Sequence, residues 1–459
     1  MTQPEVLDAF ARVVGAQNVL TGDLASSYEV DWTGRYCGTS TAVIRPATTA
    51  EVAAVVTICR EHSLPIVPQG GNTGMVGGGV PLHGEVVLSL QRMTSIDEVD
   101  PVAMQVSAQA GVTIESLQLA AEAAGLRYGV DFGGRGTATL GGTIATNAGG
   151  LNVLRHGMTR DQVVGIEVVL GTGDIVRSMS GLIKDNTGYH LPSLFVGSEG
   201  TLGIVTGARM RLVASPSHRV AALIALPSID AAVHATATLR THLEGLEAAE
   251  LMLDDGVQLV SREFGVLSPF ARTYPVYLLV EVAASNDPLD EVGNVVESLP
   301  EVLDVAVAAD GHRRAALWRL RDDHTTAINR VGVPQKFDVT VPHIALAGFV
   351  TKVRSQITAL HPEATTWIFG HVGDGNLHVN VTGAQGDRGL SDTIYGLVID
   401  LGGSISAEHG IGTSKAKYLA MQKSSEELTV MRALKQVLDP DNILNPHVLF
   451  SREVQSGTA

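Results

Sequence analysis

The stretch Pro65-Ile66-Val67-Pro68-Gln69-Gly70-Gly71-Asn72-Thr73-Gly74-Met75-Val76-Gly77-Gly78-Gly79 places a short apolar strand directly before a run of glycines. Because glycine has no side chain, such a loop can turn its backbone N–H groups toward an anion at close range, which suits a phosphate. The stretch matches neither G-x-G-x-x-G at the start of a helix nor G-x-x-x-x-G-K-[ST]. It therefore favours neither a Rossmann dinucleotide site nor a P-loop.

The chain around this loop predicts a strand, a helix and a second strand between residues 41 and 74. Thr48 and Glu51 form a T-x-x-E capping box at the start of the helix. Apolar side chains then recur at the i, i+3, i+4, i+7 spacing of a buried helical stripe, at Val52, Val55, Val56 and Cys59. This order indicates a mixed helix and sheet unit whose glycine loop follows a buried strand.

Three more glycine-rich segments follow along the chain. They are Thr139-Leu140-Gly141-Gly142-Thr143-Ile144-Ala145-Thr146-Asn147-Ala148-Gly149-Gly150, Asp185-Asn186-Thr187-Gly188-Tyr189 and Gly197-Ser198-Glu199-Gly200-Thr201-Leu202-Gly203-Ile204-Val205-Thr206. Glycine also serves ordinary tight turns, so one such segment alone says little about a ligand. The exact residues of these segments and their order along the chain are more specific evidence for a ligand site than any one segment.

The composition is that of a folded protein with two or three domains. The chain has 459 residues, which is too many for one ordinary core, and 45% of them are hydrophobic against 17% charged, which excludes a disordered chain. The formal net charge of −16 argues against a nucleic-acid partner, because binding a phosphate backbone requires a basic face.

The cysteines and the apolar segments predict a soluble, cytoplasmic protein. Cys37 and Cys59 are the only cysteines in the sequence and form no C-x-x-C pair, which fits a reducing compartment. Residues 1–5 lack the charged and apolar regions of a secretory signal. The longest apolar run, residues 274–285, is interrupted by Glu281 and is far shorter than the ~20 residues of a membrane span. It predicts a buried strand, and we expect no integral membrane segment.

The segment Phe369-Gly370-His371-Val372-Gly373-Asp374-Gly375-Asn376-Leu377-His378-Val379-Asn380 predicts a β-hairpin that brings two histidines together. Asp-Gly between aromatic and β-branched residues is a strong hairpin signal. With Asp374-Gly375 as the two turn residues, His371 lies directly opposite His378. Opposed residues have Cβ atoms ~5 Å apart on one face of the sheet, so the two imidazoles can bind one metal ion. Asn380 points to the same face.

A candidate third ligand lies in Ser406-Ala407-Glu408-His409-Gly410-Ile411-Gly412. Glu408 would complete a His-His-Glu set with His371 and His378, which for zinc leaves one position open and is typical of a catalytic site. His409 beside it is a candidate base. The alternative is that these polar residues only satisfy the backbone of a glycine-rich loop. The histidine pair together with Glu-His favours the metal site.

From about Arg219 onward the glycine loops cease and strands alternate with amphipathic helices. Strands are predicted at 220–225, 276–282, 302–307 and 337–341, with a helix at 228–239. We expect an α+β cap domain with a largely antiparallel sheet, whose last hairpin carries the two histidines.

A basic cluster precedes that hairpin. Arg321 and Thr325 are four residues apart on a helix predicted over 318–329 and would share one face, and Lys336 opens the next strand. Two cations and a hydroxyl are suited to a carboxylate, which arginine can bind through two parallel hydrogen bonds. The alternative is a solvated basic helix, because three more arginines lie nearby.

Six ordered motifs give the sequence a family resemblance. They are P-x-G-G-N-T-G from Pro68, G-G-x-x-A-T-N-A-G-G from Gly141, G-S-E-G-T-L-G-I-V-T from Gly197, G-H-x-G-D-G-N-L-H from Gly370, A-E-H-G-I-G from Ala407 and I-L-N-P from Ile443. The sequence resembles the flavin-dependent D-2-hydroxyacid dehydrogenases, which have the vanillyl-alcohol-oxidase type of FAD fold. The resemblance extends from about Thr41 to Pro446.

The resemblance implies a fold and a division into domains. The expected fold class is α+β, with a two-part FAD-binding domain at 1–215 and a cap domain for substrate and metal at 216–409. A C-terminal helical segment at 410–459 would return to the FAD domain.

The resemblance also implies where FAD binds. Segments 68–79 and 139–150 would contact the diphosphate and ribityl chain, and 197–206 would line the adenine and isoalloxazine side. The expected FAD contacts are Pro68, Gly70, Gly71, Asn72, Thr73, Gly74, Thr139, Gly142, Thr146, Asn147, Gly149, Gly150, Gly203, Ile204 and Asn445. Some relatives in the wider fold attach FAD through a histidine in the first glycine loop. This loop has Asn72 and no histidine, so we expect non-covalent FAD.

The same resemblance implies a substrate. Arg321, Thr325 and Lys336 match the residues that D-2-hydroxyglutarate members of the family use for the distal carboxylate. We therefore predict oxidation of (R)-2-hydroxyglutarate to 2-oxoglutarate, with zinc, or else manganese or cobalt, bound by the His-His-Glu set. His409 would contact the substrate and take its proton, and Asn380 would bind the C1 carboxylate.

Other activities stay open at this point. A D-lactate, D-malate or glycolate dehydrogenase of the same family is one alternative. A metal-dependent hydrolase whose glycines are merely turns is another, and a non-catalytic flavoprotein subunit is a third. The family implies electron-transfer flavoprotein or a quinone as the electron acceptor, and a homodimer is common among relatives.

Overall fold

The structure is a computed structural model that describes residues 3–384 and 386–450. Its helices are α1 (Gln3–Val14), α2 (Thr49–Glu61), α3 (Ile114–Ala123), α4 (Leu140–Thr146), α5 (Val153–His156), α6 (Thr159–Gln162), α7 (Pro192–Phe195), α8 (Ile229–His242), α9 (Asp254–Phe264), α10 (Leu289–Glu297), α11 (Gly311–Asp322), α12 (His324–Val331), α13 (Leu346–Leu360), α14 (Arg388–Asp400), α15 (Leu419–Gln422) and α16 (Ser425–Leu438). Short 3₁₀ helices lie at Ala16–Asn18, Gly22–Leu24, Ser26–Tyr28, His343–Ala345 and Ala416–Tyr418.

The strands are β1 (Val19–Leu20), β2 (Ala42–Ile44), β3 (Ile66–Gln69), β4 (Val86–Ser89), β5 (Gln105–Gln109), β6 (Leu126–Arg127), β7 (Val163–Val169), β8 (Ile175–Ser178), β9 (Ile204–Arg211), β10 (Val213–Ala214), β11 (His218–Leu226), β12 (Leu246–Leu253), β13 (Val276–Ala284), β14 (Asp304–Ala308), β15 (Gln335–Thr340), β16 (Thr365–His371) and β17 (Asn376–Thr382).

These elements form two units. The first, which we call the FAD unit, comprises the chain up to Gly150, Gly157–Ser215 and the chain from Glu408 onward. The second, the cap unit, comprises Leu151–His156 and Pro216–Ala407. Glu408 and His409 thus belong to the FAD unit, whereas the boundary expected from the sequence assigns them to the cap.

The FAD unit contains two four-stranded sheets. In the order β1-β2-β4-β3, the last three strands are parallel and β1 is antiparallel, whereas β5-β9-β7-β8 is antiparallel throughout. Phe10 of α1 and Val52 of α2 belong to the same buried cluster as Ile44 and Leu88. The first glycine loop leaves the carboxyl end of β3, the end at which ligands bind in open sheets of parallel strands.

Helix α2 forms as predicted, with one difference at its start. The Thr48 hydroxyl accepts the Glu51 N–H (3.1 Å), which is the first half of the capping box. The Glu51 carboxylate accepts the N–H of Ala47 (2.7 Å), one residue before the cap, and not that of Thr48. The predicted stripe is buried, at Val52, Val55, Val56 and Cys59.

The cap unit is built on one seven-stranded sheet in the order β14-β11-β13-β12-β16-β17-β15, and every pairing is antiparallel. The four predicted strands and the helix after Ser228 are confirmed within a few residues. Helices α9, α11 and α12 supply Val257, Leu317 and Ile328 to a buried cluster that includes Leu279 and Phe369 of the sheet.

The apolar run at 274–285 is strand β13, which lies inside this sheet and is buried over nearly its whole length. Across residues 3–384 and 386–450, no helix combines the length and the apolar character that a membrane span requires.

The helix predicted over 318–329 is wrong, because the chain forms two helices there. Helix α11 ends at Asp322 and α12 starts at His324, with Asp323 between them. Aspartate has a low propensity for helix interiors, and two aspartates stand together at the break, where Asp323 makes no side-chain capping bond and pairs with Arg319 (3.1 Å). Arg321 and Thr325 therefore lie on different helices.

Candidate active site

The predicted hairpin forms, but its pairing register is wrong by two residues. His371 pairs with Asn376 and Phe369 pairs with His378, so the loop is the four-residue segment 372–375 and not a two-residue turn. The glycine that ends this loop has φ 82°, in the left-handed region, and its N–H donates to the His371 carbonyl (3.1 Å). Because side chains alternate with period two, a shift of two residues keeps both histidines on one face.

The two imidazoles meet through their Nε2 atoms. These atoms are 3.4 Å apart, and the rings are nearly perpendicular, with an interplanar angle of 81°. Two nitrogen ligands at ~2.0–2.1 Å from one tetrahedral zinc ion would themselves be ~3.3 Å apart. His371 and His378 thus have the separation of two ligands of one ion.

Each imidazole presents its other ring nitrogen to a buried carboxylate. Nδ1 of His371 lies 2.6 Å from Oε1 of Glu250, and Nδ1 of His378 lies 3.5 Å from Oδ1 of Asp338. The amide of Asn376 donates to the same Asp338 oxygen (2.8 Å). A carboxylate behind a histidine is typical of metal ligands, because it fixes the ring and directs the other nitrogen toward the ion.

Glu250 connects the histidine pair to the predicted substrate arginine. Its second oxygen accepts a hydrogen bond from Nε of Arg321 (2.6 Å). Burial would raise the pKa of the Glu250 carboxyl, but the charges of His371 and Arg321 outweigh burial and lower that pKa to about 2. The Arg321 guanidinium also lies over the ring of Phe369, 4.6 Å from its centroid. Since Phe369 pairs with His378, Arg321 lies at the face that carries the histidines.

Lys336 and Asn380 occupy the same face. They are paired directly across β15 and β17, and the next pair on that face is Asp338 with His378. Thr325 lies in the first turn of α12 and is half-buried. One face of the cap sheet therefore carries two imidazoles, an amide and the Lys336 cation, and helix α11 adds the Arg321 guanidinium at that face. This set of groups is suited to a metal ion and a carboxylate.

In the FAD unit the glycine segments lie against one another. A Cβ atom on Gly70 would be 2.2 Å from Oγ1 of Thr139, and one on Gly71 would be 2.0 Å from the carbonyl oxygen of Thr137. Neither approach is open to a residue with a side chain. Because these two glycines have no side chain, the backbone of the first glycine segment can pack directly against the start of the second.

Asparagines hold these segments in place. The Asn445 amide donates to the carbonyls of Gly78 (3.0 Å) and Glu199 (2.8 Å), which joins the first and third segments to the C-terminal motif. Asn72, Asn147 and Asn445 have φ of 53°, 52° and 44°, a left-handed conformation that asparagine tolerates better than most residues.

Two buried hydroxyls of these segments fit a polar ligand. Oγ1 of Thr139 and Oγ of Ser198 are buried and have no hydrogen-bond partner among the described residues. Thr139 is the N-cap residue of α4, yet its side chain makes no capping bond. Such atoms require a partner, and the diphosphate and ribityl oxygens of FAD are of the right chemistry. The remaining predicted FAD contacts lie in the same segments, namely Pro68, Thr73, Gly74, Gly142, Thr146, Gly149, Gly150, Gly203 and Ile204.

The segment that carries Glu408 and His409 is fixed on both sides within the FAD unit. Oε1 of Glu408 accepts the N–H of Gly150 (2.9 Å). The buried Glu199 carboxylate accepts the N–H groups of residues 411–412 at 2.8 and 2.7 Å. Burial raises the pKa of Glu199 although these two N–H groups favour the charged form. His409 lies between the two anchors.

Glu250 and Asp338 were not predicted from the sequence. A signal was present, because Glu250 lies inside the largely apolar strand β12 and Asp338 lies between Phe337 and Val339, and a buried charge requires a partner. Nothing in the sequence named that partner, since Glu250 and His371 are separated by 121 residues along the chain.

Two family models match the chain over most of its length. Residues 40–178 match the FAD binding domain, and residues 215–449 match the C-terminal domain of FAD linked oxidases.

Curated proteins resemble nearly the whole chain. D-2-hydroxyglutarate dehydrogenase of Xanthomonas citri pv. viticola is 38% identical over 98% of this chain and 98% of its own length. The mitochondrial D-2-hydroxyglutarate dehydrogenase of Bos taurus is 38% identical over 97% of this chain and 83% of its own length. Among solved structures, p-cresol methylhydroxylase with substrate bound has a TM-score of 0.77 and 16% identity, covering 98% of this chain and 97% of that one. At that identity the likeness shows the fold alone, and it confirms the predicted vanillyl-alcohol-oxidase type.

Proposed function

Because this chain belongs to the FAD-linked oxidases, among their D-2-hydroxyacid dehydrogenases, we propose that it oxidises (R)-2-hydroxyglutarate to 2-oxoglutarate with FAD. The single observation that carries the choice of substrate is the cap face on which an imidazole pair, Asn380, Arg321 and Lys336 occur together. A substrate with a carboxylate at each end and a hydroxyl beside one of them complements that set of groups.

The proposal includes a divalent metal ion with His371 and His378 as ligands and Glu408 as the third. The Nε2 separation and the two carboxylates behind the rings support it. Zinc suits a donor set of two imidazoles and one carboxylate, and manganese or cobalt suit it too. When bound, the metal supplies Lewis-acid polarisation of the 2-hydroxyl, and FAD supplies the hydride acceptor.

The chain's own residues orient the substrate and move one proton. The Asn380 amide would donate to the C1 carboxylate, and His409 would accept the proton of the 2-hydroxyl on a ring nitrogen. With the C2 hydrogen leaving as hydride and the hydroxyl hydrogen leaving as a proton, the product is the 2-oxo acid. Imidazole suits this role because it is partly neutral at physiological pH.

The cations would bind the distal carboxylate. Arg321 is held by Glu250 through Nε, an anchor that fixes the direction of its guanidinium. Lys336 supplies a second positive charge from β15, and Thr325 on α12 would add a hydroxyl that donates to the same carboxylate. D-malate has the same two carboxylates one methylene closer, so cation spacing decides between the two acids.

A panel of D-2-hydroxy acids with an artificial dye as electron acceptor tests this function. We expect the highest kcat/KM for (R)-2-hydroxyglutarate, a lower value for D-malate and the lowest for D-lactate and glycolate. A protein that is colourless after purification, or that turns over D-lactate best, would contradict the proposal.

Lys336→Met is expected to lower kcat/KM for (R)-2-hydroxyglutarate by roughly 10- to 150-fold, because a charge-assisted contact contributes ~1.5–3 kcal/mol. D-lactate has no distal carboxylate, so its slow turnover should change little. The matched control is Lys352→Met, on the exposed side of α13 in the same unit. If both substrates lose the same factor, Lys336 acts on the C1 carboxylate or on the fold.

Glu250→Gln is expected to weaken zinc binding about 10- to 100-fold, as loss of the group behind a ligand does, while keeping the shape of the side chain. It should also destabilise the protein by roughly 3–5 kcal/mol, because Arg321 keeps a buried charge without its partner. Zinc affinity by equilibrium dialysis and unfolding by urea measure the two effects.

Adding Arg321→Met to Glu250→Gln separates these effects. Stability should recover, because the unpaired charge is gone, while zinc affinity stays low. If both recover together, Glu250 acts only through the fold and does not orient His371.

We further propose electron-transfer flavoprotein or a quinone as the electron acceptor. The sequence lacks the G-x-G-x-x-G fingerprint of a Rossmann site, which argues against NAD. Reoxidation of the reduced flavin by each acceptor, followed by stopped-flow absorbance, would distinguish them. A homodimer is likewise a proposal, which sedimentation would test.

A further inference from the structure

We propose a second divalent-metal site of zinc type in the FAD unit, formed by His83, Glu85 and His447. One ligand atom from each residue lies within 4.8 Å of the others. Two imidazole nitrogens and a carboxylate oxygen are a donor set that zinc prefers. The site does not depend on the proposed function, since none of the three residues belongs to the segments assigned to FAD, substrate or the first metal.

The carboxylate at the centre of this set is already oriented. Glu85 is 3% exposed, and its Oε2 accepts the backbone N–H of His83 (2.8 Å). That bond turns Oε1 toward Nε2 of His447, at 3.8 Å. A carboxylate this deeply buried requires a cationic partner or a metal ion.

The spacing favours an ion over a direct ion pair. A separation of 3.8 Å exceeds the ~2.7–3.2 Å of a hydrogen bond, so the imidazole and the carboxylate face each other across a gap. A zinc ion bound to both would place these atoms ~3.4 Å apart, which requires a shift of only a few tenths of an ångström.

The second histidine adds to the argument. The rings of His83 and His447 lie with centroids 4.0 Å apart at 61°. A shared ion uses all three groups. His83 is exposed, and one of its ring nitrogens already lies within 4.8 Å of a ligand atom of each of the other two residues.

The site lies beside the starts of two parallel strands. Glu85 directly precedes β4, and His447 follows Asn445, whose N–H donates to the carbonyl of Ile66 at the start of β3 (2.8 Å). Both therefore lie at the amino ends of parallel strands, whereas Gly70 leaves the carboxyl end of β3. An ion here would join the C-terminal segment to the loop before β4 and resist fraying of that segment.

The test is a zinc count on the FAD-loaded protein carrying His371→Ala and His378→Ala, which removes two ligands of the other proposed site. Equilibrium dialysis against Zn²⁺ should retain one zinc per chain, and anomalous scattering at the zinc edge should place it beside Glu85. Adding His83→Ala, or Glu85→Gln, should weaken that binding at least ~10-fold. Both are mild changes, because His83 is exposed and glutamine can still accept the His83 N–H.

The matched control is His190→Ala, an exposed histidine of the same unit, which should leave zinc binding unchanged. His83→Ala in the otherwise natural chain should leave turnover of (R)-2-hydroxyglutarate unchanged. Added to the variant that lacks His371 and His378, it should abolish the zinc-dependent rise in Tm. The site is overturned if the variant lacking His371 and His378 retains no zinc, or if its zinc affinity is the same with and without His83. Either result leaves the proposed dehydrogenase activity untouched.

Discussion

His371→Ala is expected to lower turnover of (R)-2-hydroxyglutarate by about 10³-fold or more and to remove one metal ion per chain, while FAD stays bound. The loss of rate follows because Lewis-acid polarisation contributes several kcal/mol, and each 1.36 kcal/mol is a factor of ten. FAD is retained because its expected contacts lie in the FAD unit, whereas His371 lies on β16 of the cap unit. His378→Ala should have the same signature, since each histidine supplies one of the proposed ligands.

The measurements are metal content after dialysis, flavin absorbance and steady-state rate on the same preparation. His83→Ala serves as the background, so that the metal count falls from one to zero and not from two to one. His312→Ala, an exposed histidine on α11, is the matched control and should change none of the three. Full metal occupancy in both the His371 and the His378 variants would refute the hairpin site.

The hairpin shows why the sequence predicted the site better than it predicted the register. Asp-Gly signalled the turn, and the histidine spacing signalled a shared face. The observed pairing of His371 with Asn376 differs from the predicted one by two residues, which is one full period of the strand. A shift of one residue would have sent one histidine to the opposite face and removed the site. The prediction that the two histidines lie close together therefore depended on the two-residue alternation of side chains along a strand, which a sequence shows clearly. It did not depend on the length of the hairpin loop, which a sequence shows poorly.

The sequence could not predict the break between α11 and α12, nor the contacts of Glu250 with residues far away along the chain, and the reasons differ. The break at Asp323 has no marker in the sequence, because residues 318–329 contain no glycine or proline and an aspartate four residues after Arg319 suits a continuing helix equally well. The partnership of Glu250 with His371 and Arg321 depends on the order of strands in the sheet, where β12 lies beside β16. A local sequence pattern predicts where a strand lies and which of its side chains share a face. The order of strands in the sheet is set by the packing of the whole unit.

His409→Ala is expected to retain both FAD and metal and to slow flavin reduction by ~10²- to 10⁴-fold, which is the usual contribution of a positioned base. The structure supports a fixed position for this side chain, because Glu408 is bonded to Gly150 on one side and Glu199 holds residues 411–412 on the other. The measurement is single-turnover reduction of FAD by (R)-2-hydroxyglutarate, followed at the flavin absorbance without an electron acceptor.

Rescue by an added small base distinguishes a catalytic base from a structural residue. The variant should recover part of its rate when imidazole is added at fixed pH, because the free base can then accept the hydroxyl proton in place of the missing side chain. An unchanged rate of flavin reduction, or a slow variant whose rate added imidazole does not raise, would place the base elsewhere and leave His409 as part of the fold of the 408–412 segment.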